Sequence, residues 1–185
     1  MTDTSKTVYD ESKIRTLSSL EHIQARPGMY IGRLGTGEDP DDGIYVLLKE
    51  VVDNSIDEYI MGYGKKIDVF LGEEGEISVR DYGRGIPLGK LVDCVSRINT
   101  GGKYNDDVFQ FRVGLNGVGT KAVNALSSHF KVLAYREGKY SEAIFSKGDL
   151  ISKQKGKAPV GEADGTYVEF IPDQEIFDEY AFNTE

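Results

Sequence analysis

The sequence has no tryptophan, only two histidines and a single cysteine, Cys94. One cysteine excludes an internal disulfide and any metal site built from several cysteines. Basic residues are also scarce, because 22 Lys and Arg stand against 31 Asp and Glu and leave a net charge of -9. Affinity for nucleic acid comes largely from Lys and Arg that neutralise phosphates, so we do not expect this chain to bind DNA strongly by itself.

Long apolar runs are missing as well. No stretch approaches the ~20 apolar residues of a membrane span, and residues 1–6 are polar, unlike a signal peptide. A cytoplasmic protein without a membrane partner is the expectation. The 185 residues are 39% hydrophobic and 29% charged, a globular composition;. We therefore expect an N-terminal arm over residues 1–11 and a single domain over residues 12–185.

Helical and strand periodicities alternate along the chain and predict an α+β fold. The predicted fold is a two-layer α/β sandwich, with helices on one face of a mixed, mostly antiparallel sheet. The predicted helices span 12–24, 42–61, 88–98 and 118–128. The predicted strands span 67–71, 77–81, 130–135, 140–146 and 166–171. Residues 26–32 are expected to form a turn and a short extended piece, and residues 152–165 a polar loop.

The long helix has an unusual polar stripe, with the spacing that places side chains on one helical face. Its members are Glu50, Asp53, Asn54, Asp57 and Glu58. The opposite stripe, which should face the sheet, consists of Leu47, Leu48, Val51, Val52, Ser55, Ile56 and Tyr59. Four carboxylates without a lysine repel one another, which indicates either a solvated acidic face or a site where a cation or buried partner compensates them.

Two glycine-containing segments complete the pattern. Asp81 ends an apolar strand and is followed by Gly83 and Gly85, which suits either a plain turn or a carboxylate that accepts from an exocyclic amine. The second segment, from Gly114 to Gly119, leads into a helix and suits either a plain helix start or an anion site. It matches neither the dinucleotide fingerprint nor the P-loop.

Taken in this order, the three features resemble the ATP-binding domain shared by gyrase, Hsp90, sensor histidine kinases and MutL. The flanking segments, 26–32, 50–58, 81–87, 100–103 and 117–119, are most similar to those of the type IIA DNA topoisomerase ATPase subunits, gyrase B and the ParE subunit of topoisomerase IV. The resemblance extends from Tyr9 to Pro172. The segment from Gly114 to Gly119 departs from the resemblance, since Asn116 stands where gyrase B usually has histidine.

The resemblance implies a Bergerat-type ATP-binding fold that uses ATP and Mg²⁺ to drive dimer closure and DNA strand passage. Its implied partners are a second copy of the chain on ATP binding, a DNA-cleaving subunit of the gyrase A or ParC type, and DNA through the full-length complex. It also implies that a transducer domain follows residue 185 and that this fragment binds ATP but hydrolyses it slowly. The alternative is a nucleotide-binding module of another member of the same superfamily.

Site residues follow from the same resemblance. Glu50 is implied as the general base, Asn54 as the Mg²⁺ ligand and Asp81 as the acceptor of the adenine amino group. Glu58 is implied to pair with Arg84, which also covers the base. The adenine pocket is implied to include Gly85, Ile86 and Pro87, with Thr166 supporting Asp81 through a shared water.

Phosphate contacts, the arm and the inhibitor pocket are implied as well. The phosphate-binding set is Lys103, Gly114, Leu115, Asn116, Gly117, Val118 and Gly119. Tyr9 is implied to reach the nucleotide of a partner subunit. The pocket at which aminocoumarin inhibitors bind in the family corresponds to Asp81, Arg84, Arg136 and Thr166. The remaining reactive side chains are expected to be ordinary ones, with His22 and His129 at the surface and Cys94 in the core.

Overall fold

The computed structural model describes residues 16–72, 75–98 and 117–182. Its helices are α1 (Ser19–Ala25), α2 (Gly28–Ile31), α3 (Gly43–Ile60), a 3₁₀ turn (Leu88–Lys90), α4 (Leu91–Ser96), α5 (Gly119–Ala125) and α6 (Gln174–Phe177). Its strands are β1 (Ile67–Leu71), β2 (Ile77–Asp81), β3 (Ser127–Arg136), β4 (Lys139–Ser146), β5 (Asp149–Lys157) and β6 (Gly165–Pro172). The proposed arm, residues 1–11, lies outside this part of the chain.

The six strands form one sheet in the order β1-β2-β6-β3-β4-β5, and every described pairing is antiparallel. Alternate residues of β2, β3 and β6 are buried, which is the pattern of a sheet covered on one face;. Large side chains from the covered face, among them Ile77, Phe130, Phe145 and Phe170, are 0–1% exposed and form the core with the helices. The predicted α+β class is confirmed.

Helix α3 begins after Asp42, whose carboxylate accepts from the amide of Gly37 at 2.9 Å and pairs with Arg33 at 2.7 Å. Its core stripe is largely the predicted one, since Leu47, Val51 and Ser55 are buried. The prediction that Tyr59 faces the sheet is wrong. Tyr59 is 59% exposed, because the buried positions of α3 end at Asp57 and the last turn lies outside the core.

Several predicted boundaries are wrong. The first helix starts at Ser19, because Ser18 and Glu21 form a capping box there, and residues 16–18 are not helical;. The segment after Arg26 contains the short helix α2 rather than an extended piece, with Pro27 at a helical backbone conformation before its first turn;. Residues 88–90 form a 3₁₀ turn before α4, which ends at Ser96 rather than at residue 98.

Two further differences concern the second half of the chain. Helix α5 ends at Ala125 and β3 starts at Ser127, because the continuous buried run across this junction hides the change of periodicity;. Residues 152–157, predicted to be loop, belong to β5. Every residue of β5 is exposed, so this edge strand has no apolar alternation to reveal it;. None of the helices in the described ranges has the length and apolar character needed to cross a membrane.

Candidate nucleotide-binding site

The acidic stripe of α3 is divided by burial. Asp53 and Asp57 are 6% and 0% exposed, whereas Glu50, Asn54 and Glu58 are half-buried. Asp53 is compensated by Lys49, one turn earlier, with Nζ 2.5 Å from Oδ2. The stripe is therefore not a uniformly solvated acidic face. Glu50, Asn54 and Glu58 are its members at the border between the core and solvent.

Asn54 connects α3 to the start of α5. Its amide nitrogen donates to the carbonyl oxygen of Glu50 at 2.7 Å and to the hydroxyl oxygen of Thr120 at 2.8 Å. Both bonds use Nδ2, so the orientation of the side-chain amide is fixed. The amide oxygen Oδ1 is consequently the atom of Asn54 that can serve a metal ion, in agreement with the preference of Mg²⁺ for oxygen ligands.

Glu50 lies against the first residue of α5. A β-carbon at Gly119 would overlap Oε2 of Glu50, far inside van der Waals contact. Only glycine allows the two elements to approach this closely. The geometry therefore brings the implied general base to the end of the glycine-containing segment, at Gly119.

Asp81 ends β2 as a buried carboxylate that is 6% exposed. Its Oδ1 accepts from the backbone amide of Gly83 at 2.9 Å and from that of Thr166 at 3.2 Å. Burial raises the pKa of Asp81 above its ordinary value, while the two amide donors oppose that shift;. Both amides converge on Oδ1, and Oδ2 accepts from neither of them.

Glu58 and Arg84 form a bidentate ion pair with an additional backbone bond. Oε1 of Glu58 is 2.9 Å from Nη2 of Arg84, and Oε2 accepts from Nε at 3.0 Å and from the Arg84 amide at 2.9 Å. The bond to Glu58 raises the pKa of Arg84 further. The guanidinium also lies 4.3 Å from the ring centroid of Tyr63;. The end of α3 is thus tied to the loop after Asp81.

Gly85 places this loop against the sheet. It adopts a φ of +71°, and a β-carbon there would lie 2.6 Å from the carbonyl oxygen of Tyr135. The guanidinium of Arg136 reaches the Gly85 carbonyl at 3.4 Å. Ile86 packs against the core, and Pro87 is exposed at the start of the 3₁₀ turn. The structure thus gathers Asp81, Gly85, Arg136 and Thr166 at one end of the sheet.

Only some of the residues predicted to contact the phosphates lie in the described part of the chain. Gly117, Val118 and Gly119 are described, with Gly117 at a φ of +61°. The predicted residues Tyr9, Lys103, Gly114, Leu115 and Asn116 lie outside the described residues. Within the described part, no group of three His, Cys, Asp or Glu side chains could hold a metal ion by itself.

Two charged residues near the site are absent from the set predicted from sequence. Lys121 is 4% exposed, and its Nζ donates to the Gly117 carbonyl at 2.6 Å. Arg80 precedes Asp81 and donates to the carbonyl oxygen of Asp81 at 2.5 Å. A sequence signal for Arg80 was available. It is an arginine at an outward-facing position of an alternating strand, directly before Asp81. Of the side chains predicted to be ordinary, Cys94 is half-buried rather than core, since it lies at the border of the apolar stripe of α4.

Comparison with known proteins identifies a matching family and several relatives. Residues 39–176 match the family model of the histidine kinase-, DNA gyrase B-, and HSP90-like ATPases. The B subunit of DNA topoisomerase 4 from Borreliella burgdorferi is 66% identical over 176 residues, which are 95% of this chain and 29% of that protein. The B subunit of DNA gyrase from Thermus thermophilus is 40% identical over 185 residues, covering 95% of this chain and 28% of that protein.

Solved structures include a similar fold. The 43K ATPase domain of Thermus thermophilus gyrase B, crystallised in complex with an aminocoumarin, superposes with a TM-score of 0.72 at 33% sequence identity. The match covers 89% of this chain and 42% of that one. The chain spans less than a third of the length of the curated relatives named above. Its described fold and the match over residues 39–176 together establish that the chain belongs to the histidine kinase-, DNA gyrase B- and HSP90-like ATPase family.

Proposed function

We propose that this chain binds ATP between α3 and the loop after Asp81 and hydrolyses it, as the ATPase domain of a bacterial type II DNA topoisomerase of the topoisomerase IV or gyrase B type. The observation that carries the proposal is the buried carboxylate of Asp81, fixed through Oδ1 by two backbone amides. This arrangement presents one acceptor oxygen to a pocket whose neighbouring helix carries Glu50 and Asn54.

Base recognition follows from that acceptor. The exocyclic amino group of adenine donates to Oδ2 of Asp81, while Gly85 and Ile86 line the base and Arg84 covers it. Guanine presents a carbonyl oxygen at the same position, so that two acceptors would face each other. A site built around one polar group rejects a ligand that cannot pair with it. We therefore expect a strong preference for ATP over GTP.

Hydrolysis is assigned to Glu50, which accepts a proton from the water that attacks the γ-phosphorus, while the bond from that phosphorus to the bridging oxygen breaks and ADP leaves. The amide oxygen of Asn54 would hold Mg²⁺, which supplies neutralisation of the phosphate charge. The neutral amide suits a metal that already contacts anionic phosphates. The remaining phosphate contacts are assigned to Lys103 and to the backbone amides from Gly114 to Gly119.

The larger assembly is part of the same proposal. ATP binding closes a dimer of two copies, with Tyr9 of each arm reaching the nucleotide of the other. The dimer works with a DNA-cleaving subunit, so that ATP drives the passage of one duplex through another in the cytoplasm. What supports this is the similarity to the B subunits of topoisomerase 4 and gyrase over nearly the whole chain.

A Glu50→Gln variant tests the hydrolytic assignment. Phosphate release is followed with protein in excess over ATP, and binding of a non-hydrolysable ATP analogue is titrated in parallel. We expect analogue affinity within a factor of a few of wild type and hydrolysis lowered by roughly 10²-fold or more. Glu38→Gln, at an exposed position outside the site, is the matched control. Unchanged hydrolysis by Glu50→Gln would refute the assignment.

A further inference from the structure

Arg80 makes a cluster of contacts behind the Asp81 carboxylate. Its side chain is only 11% exposed. Nη1 donates to the Asp81 carbonyl oxygen at 2.5 Å, and Nη2 donates to the Ala163 carbonyl at 2.7 Å and to Oε1 of Glu162 at 3.0 Å. One guanidinium therefore joins the end of β2 to the loop that precedes β6.

Two aromatic rings hold the same guanidinium in place. Its central carbon lies 4.7 Å from the ring centroid of Tyr82 and 5.0 Å from that of Tyr135. Cations over aromatic faces at such distances are attracted to them. A buried guanidinium with three acceptors and two rings has little freedom to move, so the backbone groups that it contacts are fixed as well.

The position of this cluster in the sheet gives it a specific consequence. The hydrogen-bonded register of β2 with β6 ends at the pair formed by Arg80 and Tyr167. One residue further on, the two strands are joined through the Asp81 carboxylate, which accepts from the Thr166 amide at 3.2 Å. Thr166 is the second residue of β6 and follows the 162–164 loop, which Arg80 contacts at Glu162 and Ala163.

Gly165, the first residue of β6, packs closely against the guanidinium. It has a φ of +135°, and a β-carbon at this position would lie 2.5 Å from Nη1 of Arg80. Adjacent residues of a strand project to opposite faces, so Arg80 stands outside the pocket that Asp81 faces. Arg80 therefore acts on the pocket through the backbone and not by touching a ligand.

We propose that Arg80 is a positioning residue that fixes the Asp81 carboxylate, through the 162–164 loop, the start of β6 and the Thr166 amide, and thereby sets the selectivity for the adenine amino group. The inference rests on the proposed function of Asp81. It also explains the residue type. The planar guanidinium fork serves two carbonyls and a carboxylate at once, which a lysine ammonium on a flexible chain does not reproduce.

The test compares two non-hydrolysable nucleotides, the ATP analogue and the matching inosine analogue, which lacks the exocyclic amine. Both are titrated calorimetrically into wild type, Arg80→Gln and Arg80→Lys in the presence of Mg²⁺. Wild type should prefer the adenine analogue. In Arg80→Gln the ratio of the two affinities should fall by roughly 3- to 10-fold, because binding of the adenine analogue weakens while binding of the inosine analogue changes little. Arg80→Lys should restore this ratio only in part.

Arg97→Gln is the matched control, because Arg97 pairs with Asp93 from a side chain that is 73% exposed and lies outside the cluster. Glu162→Gln removes one acceptor of Arg80 from a side chain that is 31% exposed. Glu162→Gln should reduce the preference for the adenine analogue by less than Arg80→Gln does. If Arg80→Gln does not fold, Glu162→Gln tests the positioning role in its place. An Arg80→Gln variant that weakens both analogues equally, or neither, would overturn the inference.

Asp81→Asn separates the role of Asp81 from that of Arg80. If this variant keeps the adenine preference, the proposed role of Asp81 is wrong and the inference falls with it. If Asp81→Asn loses the preference while Arg80→Gln and Glu162→Gln retain it in full, only the positioning role of Arg80 is wrong.

Discussion

The carboxylate of Glu50 lies directly against the Cα atom of Gly119, so that a β-carbon at residue 119 would overlap Oε2 of Glu50. The implied general base and the end of the glycine-containing segment are thus packed without space for a side chain between them. Any residue other than glycine at position 119 must displace the Glu50 carboxylate or move the start of α5.

Gly119→Ala is predicted to impair hydrolysis more than binding. The added methyl group pushes Glu50 away from the position of the attacking water, and general-base catalysis contributes roughly 10²- to 10⁴-fold. We expect at least a ~10-fold loss of phosphate release, with a smaller loss of affinity for a non-hydrolysable ATP analogue. Gly89→Ala is the control, since a β-carbon there has no heavy atom within 4 Å. Equal rates in Gly119→Ala and wild type would show that Glu50 does not need this position.

The pair of Glu58 and Arg84 is predicted to couple the end of α3 to the Asp81 loop. Their side chains are 15% and 27% exposed, and the pair has bidentate geometry. We expect a coupling free energy of about 1 kcal/mol from a double-mutant cycle to alanine, measured by urea unfolding, because hydrogen bonds to charged groups exceed exposed ion pairs in strength.

Lys66 and Asp68 provide the matched comparison, since their side chains are 67% and 46% exposed. The same cycle on this pair should give a clearly smaller coupling, because solvent screens exposed ion pairs. A coupling between Glu58 and Arg84 no larger than the one measured for Lys66 and Asp68 would contradict the proposed bracing of the loop.

Asp81 is predicted to lower stability at neutral pH. Burial raises the pKa of its carboxyl above the ordinary value of 3.8, so the native state binds its proton more tightly than the unfolded state. Its contribution to stability therefore falls as pH rises from that ordinary value through the native pKa. Asp81→Asn removes this term and can keep both amide bonds, because they use only Oδ1.

Urea unfolding between pH 4 and pH 7.5 measures the effect. The stability of Asp81→Asn relative to wild type should increase with pH and level off once the native carboxyl is ionised. Asp41→Asn, at an exposed position, serves as the control for the background pH dependence. A relative stability of Asp81→Asn that decreases as pH rises would be inconsistent with the raised pKa.

Asn54 is predicted to carry the Mg²⁺ dependence of nucleotide binding. Asn54→Ala removes the amide oxygen together with both bonds from Nδ2, to the Glu50 carbonyl and to Thr120, whereas Thr120→Val removes only the second bond. We expect Mg²⁺ to strengthen binding of a non-hydrolysable ATP analogue to wild type and Thr120→Val, and to have little effect on Asn54→Ala. Titrations with and without Mg²⁺ measure this, and an undiminished Mg²⁺ effect in Asn54→Ala would place the metal elsewhere.

Much of the fold was predictable because its signals are local. The hairpin of β1 and β2 alternates in polarity, and the long helix ends at a glycine. Strand β5 was missed because an edge strand exposed on both faces has no apolar period;. The boundary between α5 and β3 was misplaced because the run from Ala122 to Ser127 is buried throughout.

The residues of the candidate site likewise divide into those that the sequence could predict and those that it could not. Asp81, Arg84 and Gly85 are adjacent in sequence, so the family resemblance could place them together. The role of Arg80 depends on Glu162 and Ala163, about eighty residues away, and on two tyrosine rings that only the folded sheet brings together. Residue spacing along a single sequence carries no information on such contacts.

The most direct test is a calorimetric titration of wild type and Asp81→Asn with a non-hydrolysable ATP analogue in the presence of Mg²⁺. Wild type should bind one analogue per chain. Asp81→Asn should stay folded and bind the analogue at least ~10-fold more weakly, because an amide donor replaces the acceptor oxygen. Equal affinity of the two proteins would contradict the account, since adenine would then not be recognised by Asp81.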